Sequence, residues 1–233
     1  MSVRSILVPL FVTVGLWLTG CSVDVDGYTF VEEVKSSPNE LEKRLTMARE
    51  RSVGEWATPC IEGSDDEDDP RAGSKYVYTF GEKSMRLDMF AYTADCDTPL
   101  WVQSIEADYS FSGIDREVED AFELTLEISD RRIMLLQDQV ADDANGVDAN
   151  EDGTPDGLFG RTDWVAGEWF NLLGVAAADG QDLSEGEEAF ILVVFLERDR
   201  AIGASLVTVG AVPRGVLMIP FERSDGSEGA GDL

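Results

Sequence analysis

Between Trp101 and Phe111 the chain alternates with a period of two. Trp101, Gln103, Ile105, Ala107, Tyr109 and Phe111 fall on one side, and Val102, Ser104, Glu106, Asp108 and Ser110 on the other. Phe122, Leu124, Leu126 and Ile128 repeat the pattern against Glu123, Thr125, Glu127 and Ser129. Successive side chains of a strand point to opposite faces, so this pattern belongs to antiparallel strands with one face buried and one face wet. Further strands are expected over 74–80, 85–92, 131–136, 189–197, 204–209 and 215–222. Gly81-Glu82-Lys83, Ser112 to Asp115, Ser129-Asp130 and Arg198 to Gly203 have turn-like composition and are expected to separate them. The expected fold class is all-β: an antiparallel up-and-down barrel of about eight strands, with a sandwich as the alternative. Ala189 to Leu196 is apolar on both faces and too short to span a membrane, which suits a covered strand.

A short helix precedes the strands. Ser37 has the chemistry of an N-cap, Pro38 that of the first turn, and Glu40 follows three residues on. Leu41, Leu45 and Met47 supply a thin apolar stripe, so the helical segment is placed at 37–53 and ended by Gly54.

The first twenty residues read as an export leader. Arg4 is followed by the thirteen-residue apolar run Ile6 to Leu18, interrupted by Pro9 and Gly15. As a helix that run reaches roughly 20 Å, short of the ~30 Å hydrocarbon core, so a cleaved signal is expected and not a span. Its ending, Leu18-Thr19-Gly20-Cys21, resembles the lipobox of bacterial lipoproteins. The resemblance implies that Cys21 receives a diacylglycerol and, after cleavage, an amide-linked acyl chain such as palmitate. Two or three chains, at about 0.8 kcal/mol per buried methylene, hold a protein stably on a membrane where one does not. Ser22 directly after the cysteine implies, by the sorting rules of that family, an outer-membrane destination. Residues 21–36 are then a tether, 54–223 the folded domain and 224–233 a disordered tail.

Removing residues 1–20 leaves 213 residues, enough for one sizeable domain. The chain carries 47 acidic against 18 basic residues, a net charge of −29, and no histidine. Such a surface repels phosphate backbones and anionic membrane faces, so nucleic acid is not an expected partner and the lipid has to do the anchoring. The missing histidines remove Ser-His-Asp, Cys-His and most zinc chemistry, and acidic residues are too numerous for spacing to single out a catalytic pair. No enzyme is expected. With Cys21 lipidated, Cys60 and Cys96 are left as a pair in an oxidising compartment; a disulfide and two buried thiols are the alternatives.

Gly54-x-Trp56, with Trp56-Ala-Thr-Pro-Cys60 and Tyr92-Thr-Ala-Asp-Cys96-Asp-Thr-Pro-Leu100, resembles the pattern of small lipocalin-like bacterial lipoproteins. Thr162-Asp163-Trp164 and Arg214-Gly-Val-Leu are weaker matches. The resemblance spans roughly residues 52–223 and implies an eight-stranded barrel with Trp56 sealing one end. The insert at 141–160 departs from it. Within that insert Asp148, Asn150, Asp152, Thr154 (through its carbonyl) and Asp156, with Gly153 at the sixth position, have the oxygen spacing of a calcium loop such as those of thrombospondin type 3 repeats and dockerins. Phe159 stands where an EF-hand has its glutamate, so the expected ion is structural. An ordinary acidic surface loop fits the same residues.

Two functions follow as expectations. In one, Trp101, Tyr109, Phe111 and Phe122 line a barrel that holds a small apolar ligand. In the other they fill it, and the protein is a structural or interaction lipoprotein that works through its loops.

Overall fold

The computed structural model describes residues 38–64, 72–114, 121–147, 157–173, 175, 188–196, 201–205, 207–209, 213 and 220–224. Among these residues the fold is dominated by one antiparallel sheet. Its strands are β1 (Gly54–Ala57), β2 (Gly73–Phe80), β3 (Ser84–Tyr92), β4 (Pro99–Ile114), β5 (Phe122–Leu135), β6 (Trp169–Asn171), β7 (Glu188–Leu196), β8 (Ala201–Ala204), β9 (Thr208–Val209) and β10 (Phe221–Arg223). The sheet closes on itself: β1 to β5 form a meander, β5 pairs with β7, β7 with β8, β8 with β10 and β10 with β1. Eight strands thus make a barrel-like ring, as the alternation required.

The two remaining strands finish edges that the ring leaves open. Along β5, residues Phe122 to Glu127 pair with β7, and Arg132 to Met134 pair with β6. Along β7, Val193 to Leu196 pair with β8, while Ala189 and Phe190 pair with β9.

Helix α1 (Pro38–Ser52) lies against the ring end that carries the Gly81–Lys83 turn. Its inward seam is Leu41, Leu45, Ala48 and Ser52, at helical spacing, with Ala48 and Ser52 buried. Met47 is 46% exposed, so the expectation that it belongs to the stripe is corrected. The small side chain of Ala48 occupies that place because a helix pressed on a ring end approaches closely. Ser37 lies outside the described residues.

Three expected turns are strand, in whole or in part, where the structure describes them. Ser129-Asp130 does not interrupt the chain: β5 runs on to Leu135 through a bulge, and partners shift from Ala107↔Ile128 to Glu106↔Asp130. The extra residue moves the inward positions from even to odd numbers, and a period-two reading registers this as a break. Ser112 to Ile114 belong to β4, which also shifts register between Phe111 and Gly113. Ala201 to Gly203 belong to β8, so the strand expected over 204–209 is split in two. The insert expected to be a loop from 141 begins as helix α2 (Asp138–Asn145), with Val140, Ala141 and Ala144 buried.

Candidate functional site

The inward face of the ring carries two apolar clusters stacked along its axis. The first lies at the α1 end and includes Trp56, Tyr78, Phe80, Leu87, Ile105, Tyr109, Phe111, Phe122, Leu126, Ile191 and Phe221. Its aromatic rings form an unbroken series. Phe221 meets Tyr78 at 5.2 Å, Tyr78 stacks on Phe80 at 5.5 Å, and Phe80 meets Tyr109 edge-on at 5.6 Å. The series continues through Phe111 and Phe122 to Phe195, each step edge-to-face at 5.9–6.0 Å. Such contacts favour a filled interior, each adding about 0.5–1.5 kcal/mol beyond burial. Arg51 of α1 closes the row, its guanidinium 4.4 Å from the Phe195 ring.

The second cluster lies at the opposite end and contains Ala91, Leu100, Trp101, Ile133, Leu135, Val140, Ala144, Leu158, Trp164 and Leu172. Helix α2 and the 157–172 segment cap this end. Trp164 is tied down by its own backbone N–H to the Asn145 side chain at 2.7 Å and by its indole N–H to the Leu158 carbonyl at 3.1 Å. Of the four candidate ligand residues, Tyr109, Phe111 and Phe122 therefore sit together in the first cluster and Trp101 in the second. Trp164 is core, and Trp169 is 44% exposed on β6, beneath the guanidinium of Arg132 at 4.8 Å.

Between the clusters the inward positions turn polar. On β4, Gln103 stands between Trp101 and Ile105; on β5, Arg131 stands between Ile128 and Ile133. Both are buried, at 7% and 6% exposure. Tyr76 on β2 and Thr58, just past the end of β1, continue the layer, and Thr58 Oγ1 accepts the Tyr76 backbone N–H at 3.0 Å.

Trp56 is fully buried. Its indole N–H donates to the Ser52 carbonyl at 2.7 Å, which joins α1 to β1. Arg223 of β10 lies over the ring at 4.7 Å and donates to the Val53 carbonyl at 2.6 Å. Burial raises the pKa of Tyr78, and Tyr76 beside it adds to the rise. Burial also raises Tyr76 and Tyr109, with Ser74 opposing the first, and Ser52 and Arg49 the second. These phenols stay neutral donors at ordinary pH. An open cleft of about 790 Å³ lies outside the first cluster, between α1 and the β2–β3 turn, lined by Arg49, Val53, Lys83, Asp108 and Tyr109 among others.

Cys60 and Cys96 form a disulfide with Cα atoms 6.2 Å apart, joining the end of β1 to the β3–β4 turn. Cys21 and the calcium candidates Asp148, Asn150, Asp152, Thr154 and Asp156 lie outside the described residues. Among the described residues no group of three or more Asp, Glu or Cys side chains is placed to hold a metal, and no helix is long and apolar enough to cross a membrane.

No protein-family model matches the chain, and no curated protein matches it.

Sequence reasoning missed Arg131, Arg223 and Ser205. Arg131 is disguised by the bulge, which places it inside although Arg132 next to it is outside. Arg223 is the last residue of a strand described over three residues, too few for a period.

Proposed function

We propose that this is a non-enzymatic lipoprotein of a bacterial envelope. It is held in the outer membrane through acylated Cys21, and its ring domain is a filled scaffold that acts through its surface and loops. The observation that carries this reading is the series of seven rings from Phe221 to Phe195, which occupies the inward positions where an apolar ligand would lie. The lipobox and the paired-cysteine segments support placement among lipocalin-like lipoproteins, and the disulfide fits an oxidising compartment. A calcium ion held by Asp148, Asn150, Asp152, Thr154 and Asp156 is proposed as a structural element that cancels repulsion within the insert.

Labelled palmitate tests the anchor. Wild type is expected to incorporate it and to fractionate with membranes, whereas Cys21→Ser does neither; equal labelling of both proteins overturns the anchoring. Terbium luminescence tests the insert, with loss of signal expected in Asp148→Asn/Asp152→Asn. An unchanged signal removes the ion from the account.

A second reading has one specific observation in its favour. Tyr109, a ligand candidate, lines the external cleft as well as the core, so a small amphipathic molecule could dock there without displacing the interior. Enhanced fluorescence of a naphthylamine probe, lost in Val53→Asp, would favour it over the filled scaffold alone.

A further inference from the structure

The outward face of the ring is not polar throughout. Toward the α1 end it has the expected character, with Asp108 and Ser110 on β4 and Glu123, Thr125 and Glu127 on β5. Nearer the α2 cap, one cross-strand row is apolar. Phe90 on β3 pairs with Val102 on β4, Val102 with Met134 on β5, and Met134 with Trp169 on β6. Their strand neighbours Ala91, Trp101, Ile133 and Phe170 pack in the capped-end cluster, so these four side chains point outward. Adjacent strands lie about 4.8 Å apart, which makes the row roughly 15 Å long. Tyr92 adds a ring 6.4 Å from that of Phe90. Phe90 and Met134 are half-buried and Trp169 is exposed. Val165, 52% exposed, starts the turn that leads into β6, and the Gly167 N–H of that turn donates to the Leu135 carbonyl at 2.7 Å. Val165 is thereby held beside the Met134–Trp169 end of the row.

The charges around this row differ from those of the chain as a whole. Lys75 pairs with Phe90 and ends the row on β2, and Arg132 lies over the Trp169 ring at 4.8 Å. The carboxylates next to it are neutralised: Asp88 by Arg86 at 2.9 Å, Glu106 by Arg132 at 2.7 Å, and Asp130 by Arg132 at 3.4 Å. Glu168, exposed between Val165 and Trp169, opposes contact with a negative surface. Aromatic rings flanked by long cationic side chains suit the interface of a bilayer, where the rings sit at headgroup depth and the stems reach outward to phosphates.

From this we infer that the row docks the wall of the ring on a zwitterionic bilayer, with Trp169 and Val165 entering below the headgroups. The inference rests on the acylated Cys21 of the proposed function, because one row is too small to hold free protein on a membrane. Each partner of a stable complex contributes about 800 Å², more than a single row supplies, which argues against a second copy as the occupant. A tethered face needs no such area. Its effective concentration is on the order of millimolar, so a weak contact suffices. Residues 22–37 separate Cys21 from Pro38 and can span roughly 50 Å when extended, which lets the domain turn its wall to the surface.

Residues 21–233 carry Trp56, Trp101, Trp164 and Trp169, and the first three are buried. A quencher on an acyl chain therefore reports on Trp169. With Cys60 and Cys96 bonded, Cys21 is the thiol left for coupling to a maleimide lipid, which supplies an anchor whether or not a cell acylates it. On vesicles of brominated phosphatidylcholine the coupled protein is expected to lose the Trp169 part of its emission, identified as the part missing in Trp169→Phe. Val165→Asp, at an exposed position, is expected to keep its circular dichroism and to lose the quenching. Unquenched Trp169 in the coupled protein, or equal quenching in Val165→Asp, would overturn the docking face and leave the anchor untouched. Quenching that persists although palmitate labelling in cells fails would keep the face and remove the anchor. A dimer in sedimentation, with Trp169 shielded from acrylamide, would assign the face to a second copy and overturn the inference.

Discussion

The phenolic hydroxyl of Tyr78 donates to the backbone carbonyl of Ser205 at 2.6 Å, across the buried interior and 127 residues along the chain. Ser205 lies where the partners of β7 slip by one residue, from Val193↔Ala204 to Phe190↔Thr208. Its hydroxyl accepts the Leu192 N–H at 2.8 Å and its own N–H donates to the Leu192 carbonyl. At Ser205 the slip therefore keeps its hydrogen bonds, and Tyr78 takes the carbonyl that the ladder cannot. Tyr78→Phe leaves that carbonyl buried and is expected to cost about 1–3 kcal/mol in urea unfolding with an unchanged slope.

Arg223 covers Trp56 and donates to the Val53 and Arg51 carbonyls at the α1 end. Arg223→Met keeps the packing stem but loses the ring contact and the hydrogen bonds, with an expected cost of about 1–2 kcal/mol and a shift in tryptophan emission. Arg223→Lys should recover only part of this, since an ammonium lacks the flat fork that reaches ring and carbonyl together.

The Cys60–Cys96 bridge closes a loop of sequence separation 36. In the chain-entropy model, replacing both cysteines by serine removes about 3–4 kcal/mol. Reduction under denaturing conditions should release two thiols, and the reduced protein should unfold at lower urea.

Buried Tyr78 and Tyr109 and half-buried Tyr76 bear on alkaline stability. The pKa values of Tyr76, Tyr78 and Tyr109 are raised, chiefly by burial, so the folded state holds these protons more tightly than the unfolded chain. Their contribution is complete below the ordinary tyrosine pKa near 10 and is lost as pH rises beyond it. Absorbance at the phenolate band is expected to show these three ionising together with loss of circular dichroism. Ionisation of all tyrosines near pH 10 with the fold intact would contradict this.

Gly157 has φ of +74°, and a Cβ there would lie 1.5 Å from the Arg161 carbonyl oxygen. Gly157→Ala therefore has to displace the turn that carries Leu158 into the α2 cap. An expected loss of about 2 kcal/mol or more, with exposure of Trp164, can be read by melting and fluorescence quenching.

Much of this architecture was legible before the structure. Pro38 and the spacing of Leu41 and Leu45 marked the helix, and the alternation along β4 named the inward residues correctly. Such patterns survive because each strand of the meander pairs with its sequence neighbours. What escaped depends on single-residue irregularities. Ser129 reversed the parity of β5 and so concealed Arg131, and the slip at Ser205 divided one expected strand into two. The arrangement of the candidate residues was less legible than the strands. Periodicity placed Trp101, Tyr109 and Phe111 on one face but carried no information that Trp101 belongs to a different cluster, beyond a polar layer.

The central claim is that the ring's interior is occupied by its own side chains. Native mass spectrometry of the domain, produced in a bacterial periplasm without Cys21 and sprayed with and without a calcium chelator, tests it most directly. The expected result is protein carrying no organic molecule, only inorganic ions. A co-purified apolar or amphipathic molecule that survives the chelator, and is lost when Phe111 is replaced by a larger side chain as in Phe111→Trp, would contradict the claim.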